Sequence, residues 1–433
     1  MKKLLLRGMV LPMTAPDHFF ADGEIAIQDD VIVSVGARKS APAGFIPDEV
    51  IEYPNDVFMP GLINTHTHAA MTFLRGYADD LPLMQWLESK IWPYEDKMSD
   101  EDIYWGTLLA LCEMIRSGTT TMLDMYMSMN QVAEAVLQAG TRAVLSRGLM
   151  DVGPNAELRL QENVDLLRQY QGAGEGRITV MFGPHAPFTC SGEYLRRIKK
   201  EADRHGVGLH IHVAETLDEI HIIKEQQGKT PVQWLEELGL FGGHVVAAHC
   251  VHLTDEDIAI LKRNQVCVAH NPESNMKLNS GTARITELLK QGITVGLGTD
   301  GASSNNDLNL FGEMRTAAYQ QKLVAGPTAL PAYEVLEMAT VGGAKTLALS
   351  RLGRLAPGYQ ADIISVNMEQ PHFYPRHSIP AHLVYSALAS DVRTVVVAGK
   401  VLMAERRLTT LEEKQICQEV ERRAKGIAQS FTG

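Results

Sequence analysis

Histidines stand where apolar segments of this chain end, a pattern that could bind a metal ion. His66 and His68 form an HxH pair at the end of the apolar run 57–64. In an extended strand, residues i and i+2 point the same way, so both imidazoles can bind one cation. Neutral imidazole is a common ligand of zinc and iron. Taken alone, the pair could equally be two strand-end histidines that hydrogen-bond to their neighbours.

Other candidate ligands and catalytic groups follow the same pattern. His212 ends another apolar run, and Glu215 follows it three residues later. His249 and Asp300 end two further runs. Imidazoles combined with one carboxylate are sufficient for a mononuclear site that keeps one position open for water. Because a cation lowers the pKa of a bound water, this set of residues indicates metal-assisted hydrolysis.

The elements that must position these residues alternate between strand-like and helix-like patterns. Near-continuous apolar strands between helices are typical of a parallel sheet covered on both faces. Eight such units indicate an α/β fold, a (β/α)₈ TIM-type barrel, whose strand C-termini all meet at one face. An open doubly wound sheet is the alternative, but no GxGxxG turn follows a first strand. The predicted strands are 57–64, 119–125, 142–149, 178–183, 208–213, 245–248, 265–269 and 293–297, and the predicted helices include 100–117, 131–139, 192–205, 230–238 and 255–264.

Both ends of the chain are rich in β-forming residues. Residues 23–36 contain two strand-like runs around the polar turn Asp29-Asp30, and residues 361–366 and 392–401 are similar. We therefore expect a small β-sandwich domain formed by the N- and C-terminal segments. The predicted domains are 1–57 and 358–433, which together make the small β domain with a terminal helix over 410–430, and the barrel 58–357.

Composition argues against several classes of function. The net charge of −12 gives no attraction to nucleic acid or anionic membranes. No stretch is long and apolar enough to span a bilayer. The five cysteines form no CxxC pair, and their odd number argues against a disulfide framework. A reducing, cytoplasmic compartment fits this cysteine usage.

Several motifs resemble those of the amidohydrolase superfamily. They are Pro60-Gly-Leu-Ile-Asn-Thr-His-Thr-His68, His210-Ile-His-Val-Ala-Glu215, Ala248-His-Cys-Val-His252 and Gly298-Thr-Asp300. Residues 353–362 are similar to that family's return into its small β domain, so the resemblance covers nearly the whole chain. Within the superfamily, residues 86–95 and Gly183-Pro-His-Ala-Pro187 resemble the 5′-methylthioadenosine/S-adenosylhomocysteine deaminases.

The resemblance implies one divalent metal ion per subunit, which would be Zn²⁺, with Fe²⁺ or Mn²⁺ as alternatives. The implied ligands are His66, His68, His212 and Asp300. Binuclear members carry a bridging lysine at the end of the fourth strand, whereas residues 182–185 here contain none. Three further histidines are expected to pack or to support the ligands: His210, His252 and His270.

The resemblance also implies a reaction, the hydrolytic deamination of an adenine ring. The substrates would be 5′-methylthioadenosine and S-adenosylhomocysteine, with 5′-deoxyadenosine and adenosine as further candidates, and the products the inosine analogue and ammonia. Asp300 would take a proton from the attacking water and Glu215 would protonate N1 of the ring. His249 would orient the attacking water.

The remaining implied residues contact the sugar and the 5′ substituent. Glu95 would hold the ribose hydroxyls, His185 would contact the purine or ribose, and Trp86 would form an apolar wall. Arg147 and Arg159 would bind the homocysteine carboxylate. From the residues alone, Glu95 could instead be a surface glutamate and Arg159 could belong to a surface ion pair.

Three other readings of the sequence stay open. A triazine chlorohydrolase or a guanine or cytosine deaminase could use the same scaffold. A barrel that has lost its metal could serve assembly alone. A nucleic-acid base deaminase of the HxE…PCxxC type would need a signature that is absent here. The expected partner is a small-molecule nucleoside, without nucleic acid or membrane, and barrels of this kind often form homo-oligomers.

Overall fold

A computed structural model describes residues 2–81 and 83–431 and places the strands of this range in two sheets. The strands are β1 (Lys3–Val10), β2 (Phe20–Gln28), β3 (Val31–Ala37), β4 (Glu49–Pro60), β5 (Leu62–His68), β6 (Thr119–Tyr126), β7 (Arg142–Leu149), β8 (Ile178–Pro184), β9 (Leu209–Val213), β10 (Val245–His249), β11 (Cys267–His270), β12 (Val295–Leu297), β13 (Asp300–Gly301), β14 (Ile363–Asn367), β15 (Val392–Val397), β16 (Lys400–Ala404) and β17 (Arg407–Leu408).

Helices cover the sheets and join their strands. They are α1 (Leu83–Trp86), α2 (Trp92–Glu95), α3 (Asp100–Arg116), α4 (Met129–Ala139), α5 (Ala156–Tyr170), α6 (Ala173–Gly176), α7 (Gly192–His205), α8 (Leu217–Gln227), α9 (Pro231–Glu237), α10 (Asp255–Arg263), α11 (Pro272–Lys277), α12 (Ile285–Lys290), α13 (Leu310–Ala325), α14 (Ala332–Glu337), α15 (Gly343–Thr346), α16 (Ile379–Tyr385) and α17 (Glu413–Gln429). None of the helices in the described ranges is long and apolar enough to cross a bilayer.

The larger sheet is the predicted parallel barrel. Strands β5 to β12 follow one another in sequence order, and β13 pairs with β5 to close the ring. Strands β12 and β13 are two pieces of the eighth strand. Gly298 lies between them, where an added Cβ would fall 2.8 Å from the His66 carbonyl oxygen and 2.3 Å from Asn271 Oδ1. The eighth strand can therefore approach the first closely only because residue 298 has no side chain.

The smaller sheet has eight strands from both ends of the chain, as predicted. Strand β4 joins its two groups, since it pairs in parallel with β1 and antiparallel with β14. The pairing is therefore continuous through β4. Residues 57–60 belong to β4, so the first barrel strand is β5 rather than the predicted run 57–64. Apolar residues continue across Gly61, which hides this boundary in the sequence.

The proposed domain limits 1–57, 58–357 and 358–433 stay a prediction, and their outer ends at Met1 and Gly433 lie outside the described residues. A bidentate ion pair joins the two sheets. Arg142 at the start of β7 donates through Nε and Nη2 to the two oxygens of Asp362, each at 3.0 Å. Both side chains are buried. Asp362 Oδ1 also accepts from the amide of Ala398 in the smaller sheet.

Candidate metal centre and active site

Three histidines turn their Nε2 atoms toward one point at the C-terminal face of the barrel. His68 Nδ1 donates to the carbonyl of Met125 at 2.6 Å, and His212 Nδ1 donates to the carbonyl of His185 at 2.6 Å. In the neutral form of each ring the proton sits on Nδ1, so Nε2 presents a lone pair to a cation. The two Nε2 atoms lie 3.4 Å apart.

His66, the third of these histidines, is fixed by a chain of hydrogen bonds. Ser146 Oγ donates to the carbonyl of Asp124 and lies 3.0 Å from His210 Nδ1. His210 Nε2 lies 2.8 Å from His66 Nδ1. Because the hydroxyl proton of Ser146 is already donated, its oxygen accepts from Nδ1 of His210. Nε2 of His210 in turn accepts from Nδ1 of His66, which leaves the Nε2 of His66 unprotonated. His210 therefore holds the ring of His66 from behind, which agrees with the supporting role that the resemblance implies.

Asp300 brings a carboxylate to the same point. Its Oδ1 lies 3.3 Å from His66 Nε2 and 3.2 Å from His68 Nε2. Its Oδ2 accepts from the hydroxyls of Ser274 at 2.6 Å and Ser304 at 3.0 Å. One oxygen thus faces the histidines while the other is held by serines.

These residues fit a divalent metal ion. The ligand atoms of His66, His68 and Asp300 all lie within 4.8 Å of one another, as do those of His66, His212 and His249. His66 Nε2 is buried without a hydrogen-bond partner. An orphaned lone pair in a buried cluster of imidazoles and a carboxylate is satisfied by a cation.

Burial and charge set the protonation of the cluster. Burial lowers the pKa of His66 to about 3 and holds the pKa of His212 well below its usual range, so both rings are neutral. Burial also lowers the pKa of His68, but the hydrogen bond and charge of Asp300 outweigh it and raise that pKa to about 9. A proton held between His68 and Asp300 occupies the place that a cation takes, since metal binding releases ligand protons.

Glu215 and His249 lie beside the ligands. Glu215 Oε2 is 3.8 Å from His249 Nε2. Burial raises the pKa of Glu215, which favours a carboxyl group that can hold and return a proton. The carboxylate of Glu219 accepts from the amides of Ala214 at 2.8 Å and Glu215 at 2.9 Å, so it fixes the loop after β9.

The backbone is strained at three strand ends of this centre. Ala214, His249 and Asp300 have φ values of 53°, 70° and 59°, in the left-handed region that non-glycine residues rarely adopt. His249 comes directly after Ala248, which pairs with Ala269 of the neighbouring strand β11. Such strain persists where the surrounding structure holds it, and it is common at functional sites.

A cavity opens from the metal cluster. Its wall combines ligands, carboxylates and apolar side chains: His68, Met71, Trp86, Leu87, Ile91, Trp92, Glu95, Met125, Tyr126, Met127, Arg147, Gly148, Met150, His185, Ala186, Phe188, His212, Glu215, His249, Leu278, Asp300 and Ser304.

Most of the predicted substrate residues meet in this cavity. Trp86 is buried in α1, and Glu95 ends α2, so the segment that joins them forms one wall. Glu95 Oε1 accepts from the hydroxyl of Tyr126 at 2.5 Å. His185 Nδ1 lies 2.9 Å from Thr189 Oγ1, and burial lowers the pKa of His185 to about 4. His185 is therefore a neutral ring on the opposite wall.

The two predicted arginines differ in their relation to the cavity. Arg147 lines the cavity. It pairs through Nε with Glu162 of α5 at 2.7 Å and donates through Nη1 to the carbonyl of Gly148 at 2.8 Å. Arg159 donates to the carbonyl of Met150 at 2.9 Å and is not among the described residues that line the cavity.

Several residues of the site were not predicted from the sequence. They are Tyr126, Glu219, Ser274, Asn275 and Ser304. One had a readable signal: Thr216-Leu-Asp-Glu219 precedes an apolar run, which is a helix-start pattern that would have predicted α8. The others contact residues distant in sequence, and only the fold brings them together.

The sequence pattern of the amidohydrolase family matches residues 57–402, and the chain belongs to this family. A 5-methylthioadenosine/S-adenosylhomocysteine deaminase of Desulfitobacterium hafniense is 72% identical over 431 residues, which is 100% of both chains. A 5′-deoxyadenosine deaminase of Methanosarcina mazei is 49% identical over 98% of both chains. The crystal structure of an adenosine deaminase from Xanthomonas campestris with bound zinc superposes with a TM-score of 0.96, at 34% identity over 99% of both chains.

The fold, the family and the ligand set agree. The protein is a metal-dependent hydrolytic enzyme, and the cluster around His66 and Asp300 can hold a divalent metal ion.

Proposed function

We propose that the protein deaminates adenine nucleosides that carry a 5′ substituent, with 5′-methylthioadenosine and S-adenosylhomocysteine as substrates and 5′-deoxyadenosine and adenosine as further candidates. The proposed metal is zinc, held by His66, His68, His212 and Asp300. The observation that carries the proposal is the pairing of Glu95 with Tyr126 in the cavity wall, where the ring of Tyr126 lies 6.4 Å from the ring of His68. A carboxylate there can accept from two adjacent ribose hydroxyls, and a bare ring has no group for it.

The proposed chemistry replaces the 6-amino group of the ring by oxygen. A divalent cation lowers the pKa of a bound water, which supplies the nucleophile near neutral pH. The carboxylate of Asp300, which Ser274 and Ser304 hold in place, takes a proton from that water. The C6–O bond forms as Glu215 protonates N1 of the ring.

The C6–N bond then breaks as the proton on Asp300 passes to the amine, which leaves as ammonia. The hydroxyl on C6 gives its proton to Glu215 as the C6=O bond forms, so Glu215 is protonated again. His249 holds the water in line with C6 through its Nε2. The neutral ring of His185 and the apolar wall at Trp86 exclude bulk water from the reacting groups. In this scheme Glu215 and Asp300 also contact the purine, so they contribute to substrate binding.

The proposed roles of Arg147 and Arg159 are the least direct. Arg147 lines the cavity and donates to the carbonyl of Gly148 in β7, and Arg159 donates to the carbonyl of Met150, another lining residue. A long 5′ substituent with a terminal carboxylate would reach this part of the cavity. Binding to Arg147 would then compete with its ion pair to Glu162.

Ammonia release with purified zinc-loaded protein tests the proposal. We expect turnover of the four nucleosides and far less turnover of guanine and cytosine, measured as ammonia, and of a chlorotriazine, measured as chloride. Arg147→Ala and Arg159→Ala should lower kcat/KM for S-adenosylhomocysteine more than for 5′-methylthioadenosine. Faster turnover of any bare ring would contradict the substrate class, and equal losses on both nucleosides would contradict the arginine roles.

Glu215→Gln tests the acid–base assignment. Loss of a general acid typically costs about 10²- to 10⁴-fold, so we expect kcat to fall by about that factor while zinc content is retained. Glu225→Gln, at an exposed position of α8, is the matched control and should turn over normally. Near-normal turnover of Glu215→Gln with its metal in place would remove Glu215 from the mechanism.

A further inference from the structure

Strand β11 supplies none of the proposed metal ligands or catalytic groups, yet the helix that follows it touches two of them. Ser274 and Asn275 are adjacent in α11, and both side chains are fully buried. Ser274 Oγ donates to Asp300 Oδ2 at 2.6 Å, and Asn275 Oδ1 lies 2.8 Å from His249 Nδ1. We propose that Ser274 and Asn275 are positioning residues, which fix the carboxylate of Asp300 and the ring of His249 for the reaction. This inference rests on the proposed roles of those two groups.

Asn275 determines which nitrogen of His249 carries the proton. An amide oxygen can only accept, so Nδ1 of His249 donates and its Nε2 keeps a lone pair. That Nε2 faces the metal cluster, within 4.8 Å of the ligand atoms of His66 and His212. It can therefore accept a hydrogen bond from the attacking water, which the other tautomer could not.

Ser274 determines which oxygen of Asp300 faces the metal. The two oxygens of a free carboxylate are equivalent, and rotation about Cβ–Cγ exchanges them. The hydroxyl of Ser274 holds Oδ2, which leaves Oδ1 at 3.2 to 3.3 Å from the Nε2 atoms of His68 and His66. Ser304 donates to the same Oδ2 at 3.0 Å, but it lines the cavity and is within reach of a substrate.

Neither positioning residue can act on the substrate directly. Ser274 and Asn275 are fully buried, and they are not among the described residues that line the cavity. Any effect on turnover must therefore pass through Asp300 or His249. Ser304 differs from both residues, because its replacement would remove a hydrogen bond to the carboxylate of Asp300 and would also change the cavity wall.

Replacement of Asn275 gives the main test. Asn275→Leu keeps the side-chain size but has no acceptor, whereas Asn275→Asp keeps an oxygen for Nδ1. Loss of a partner of this kind typically costs about 10- to 100-fold, so we expect Asn275→Leu to lower kcat by about that factor with KM and zinc content unchanged. Asn275→Asp should restore most of kcat. Combined with His249→Ala, Asn275→Leu should add no further loss, because it acts through that ring.

Ser274→Ala is the second, smaller change, and it tests the other half of the proposal. We expect kcat to fall by about tenfold, with KM and zinc content unchanged. Met276→Ala, at an exposed side chain of the same helix, is the matched control and should leave turnover as it was.

Three results would overturn the positioning role: undiminished kcat in Asn275→Leu and Ser274→Ala, equal losses in Asn275→Leu and Asn275→Asp, or a full additional loss in the His249→Ala background. Failure of the proposed function would look different, since the unmodified zinc protein would then release no ammonia from the nucleosides.

Discussion

Glu95 is a carboxylate held against the hydroxyl of Tyr126 in the wall of the substrate cavity. Burial raises its pKa to about 7, although the hydrogen bond from Tyr126 opposes the shift. Glu95 is therefore protonated below that pH and charged above it. Only the charged form accepts from both ribose hydroxyls.

This titration predicts a pH dependence of binding. We expect kcat/KM for ribonucleosides to fall as the pH drops through about 7. A 2′,3′-dideoxy analogue has no hydroxyls for Glu95 and should lack this fall. Charged hydrogen bonds contribute about 1.5–3 kcal/mol, so Glu95→Gln should lower ribonucleoside kcat/KM by about 10- to 100-fold and remove the fall.

The exposed Glu88, in the same wall segment, gives the matched control Glu88→Gln, which should keep the unmodified pH profile. An unchanged profile in Glu95→Gln would show that this carboxylate does not hold the ribose.

Sequence reasoning reached Glu95 only through a family resemblance. Without the fold, Glu95 sits between charged neighbours and looks like a surface residue. Its partner Tyr126 lies 31 positions later, at the end of strand β6. His66 and His68 were different, because their spacing and position after an apolar run were sufficient to predict a shared cation.

At the scale of elements, the loop between β9 and α8 carries Glu215 and depends on Glu219. Glu219 is fully buried, and each of its oxygens accepts one backbone amide of this loop. Burial raises the pKa of Glu219 to about 8. The loop includes Ala214 in a left-handed conformation, which these two hydrogen bonds hold.

Removal of this support should affect stability and turnover together. A buried amide left without a partner costs about 1–3 kcal/mol, so we expect Glu219→Ala to lower the free energy of unfolding by at least that amount. We also expect kcat to fall, because Glu215 loses its fixed position. Chemical denaturation and ammonia release measure the two effects. Glu225→Ala on the same helix is the control, and normal turnover in Glu219→Ala would contradict the role.

The strands of the barrel were readable from sequence because they are buried on both faces and form continuous apolar runs. The prediction for β7, 142–149, matches its observed bounds. Helices α5, α8 and α13 were not predicted. Ser274 and Asn275 show a further limit of prediction from sequence. Both lie in helix α11, whereas their partners Asp300 and His249 lie 26 residues away in the chain, on barrel strands. Contacts of this kind follow from tertiary packing and leave no local pattern.

At the scale of the whole molecule, the ion pair of Arg142 and Asp362 ties the barrel to the smaller sheet. Loss of one member of a buried pair leaves an uncompensated charge and costs about 3–5 kcal/mol. We expect Asp362→Ala to lower the free energy of unfolding by about that amount, measured by urea denaturation. Replacement of both residues by apolar side chains of similar volume should recover most of the loss.

A second ion pair spans the same junction on the surface and serves as the control. Lys400 of β16 contacts Glu175 at 2.7 Å, and both side chains are well exposed. Exposed pairs contribute little, so Glu175→Ala should leave the unfolding curve as it was. Equal effects of Asp362→Ala and Glu175→Ala would contradict the role of burial.

The two-residue strand β13 has a consequence for how the protein is made. It closes the barrel by pairing Asp300 with Thr67 and Gly301 with His68, so the first and last barrel strands meet at the metal ligands. During synthesis, His66 and His68 leave the ribosome long before Asp300. A nascent chain that ends before residue 300 has part of the ligand set but no closed ring. The complete set of proposed ligands therefore forms only after β13 has been translated and has paired with β5.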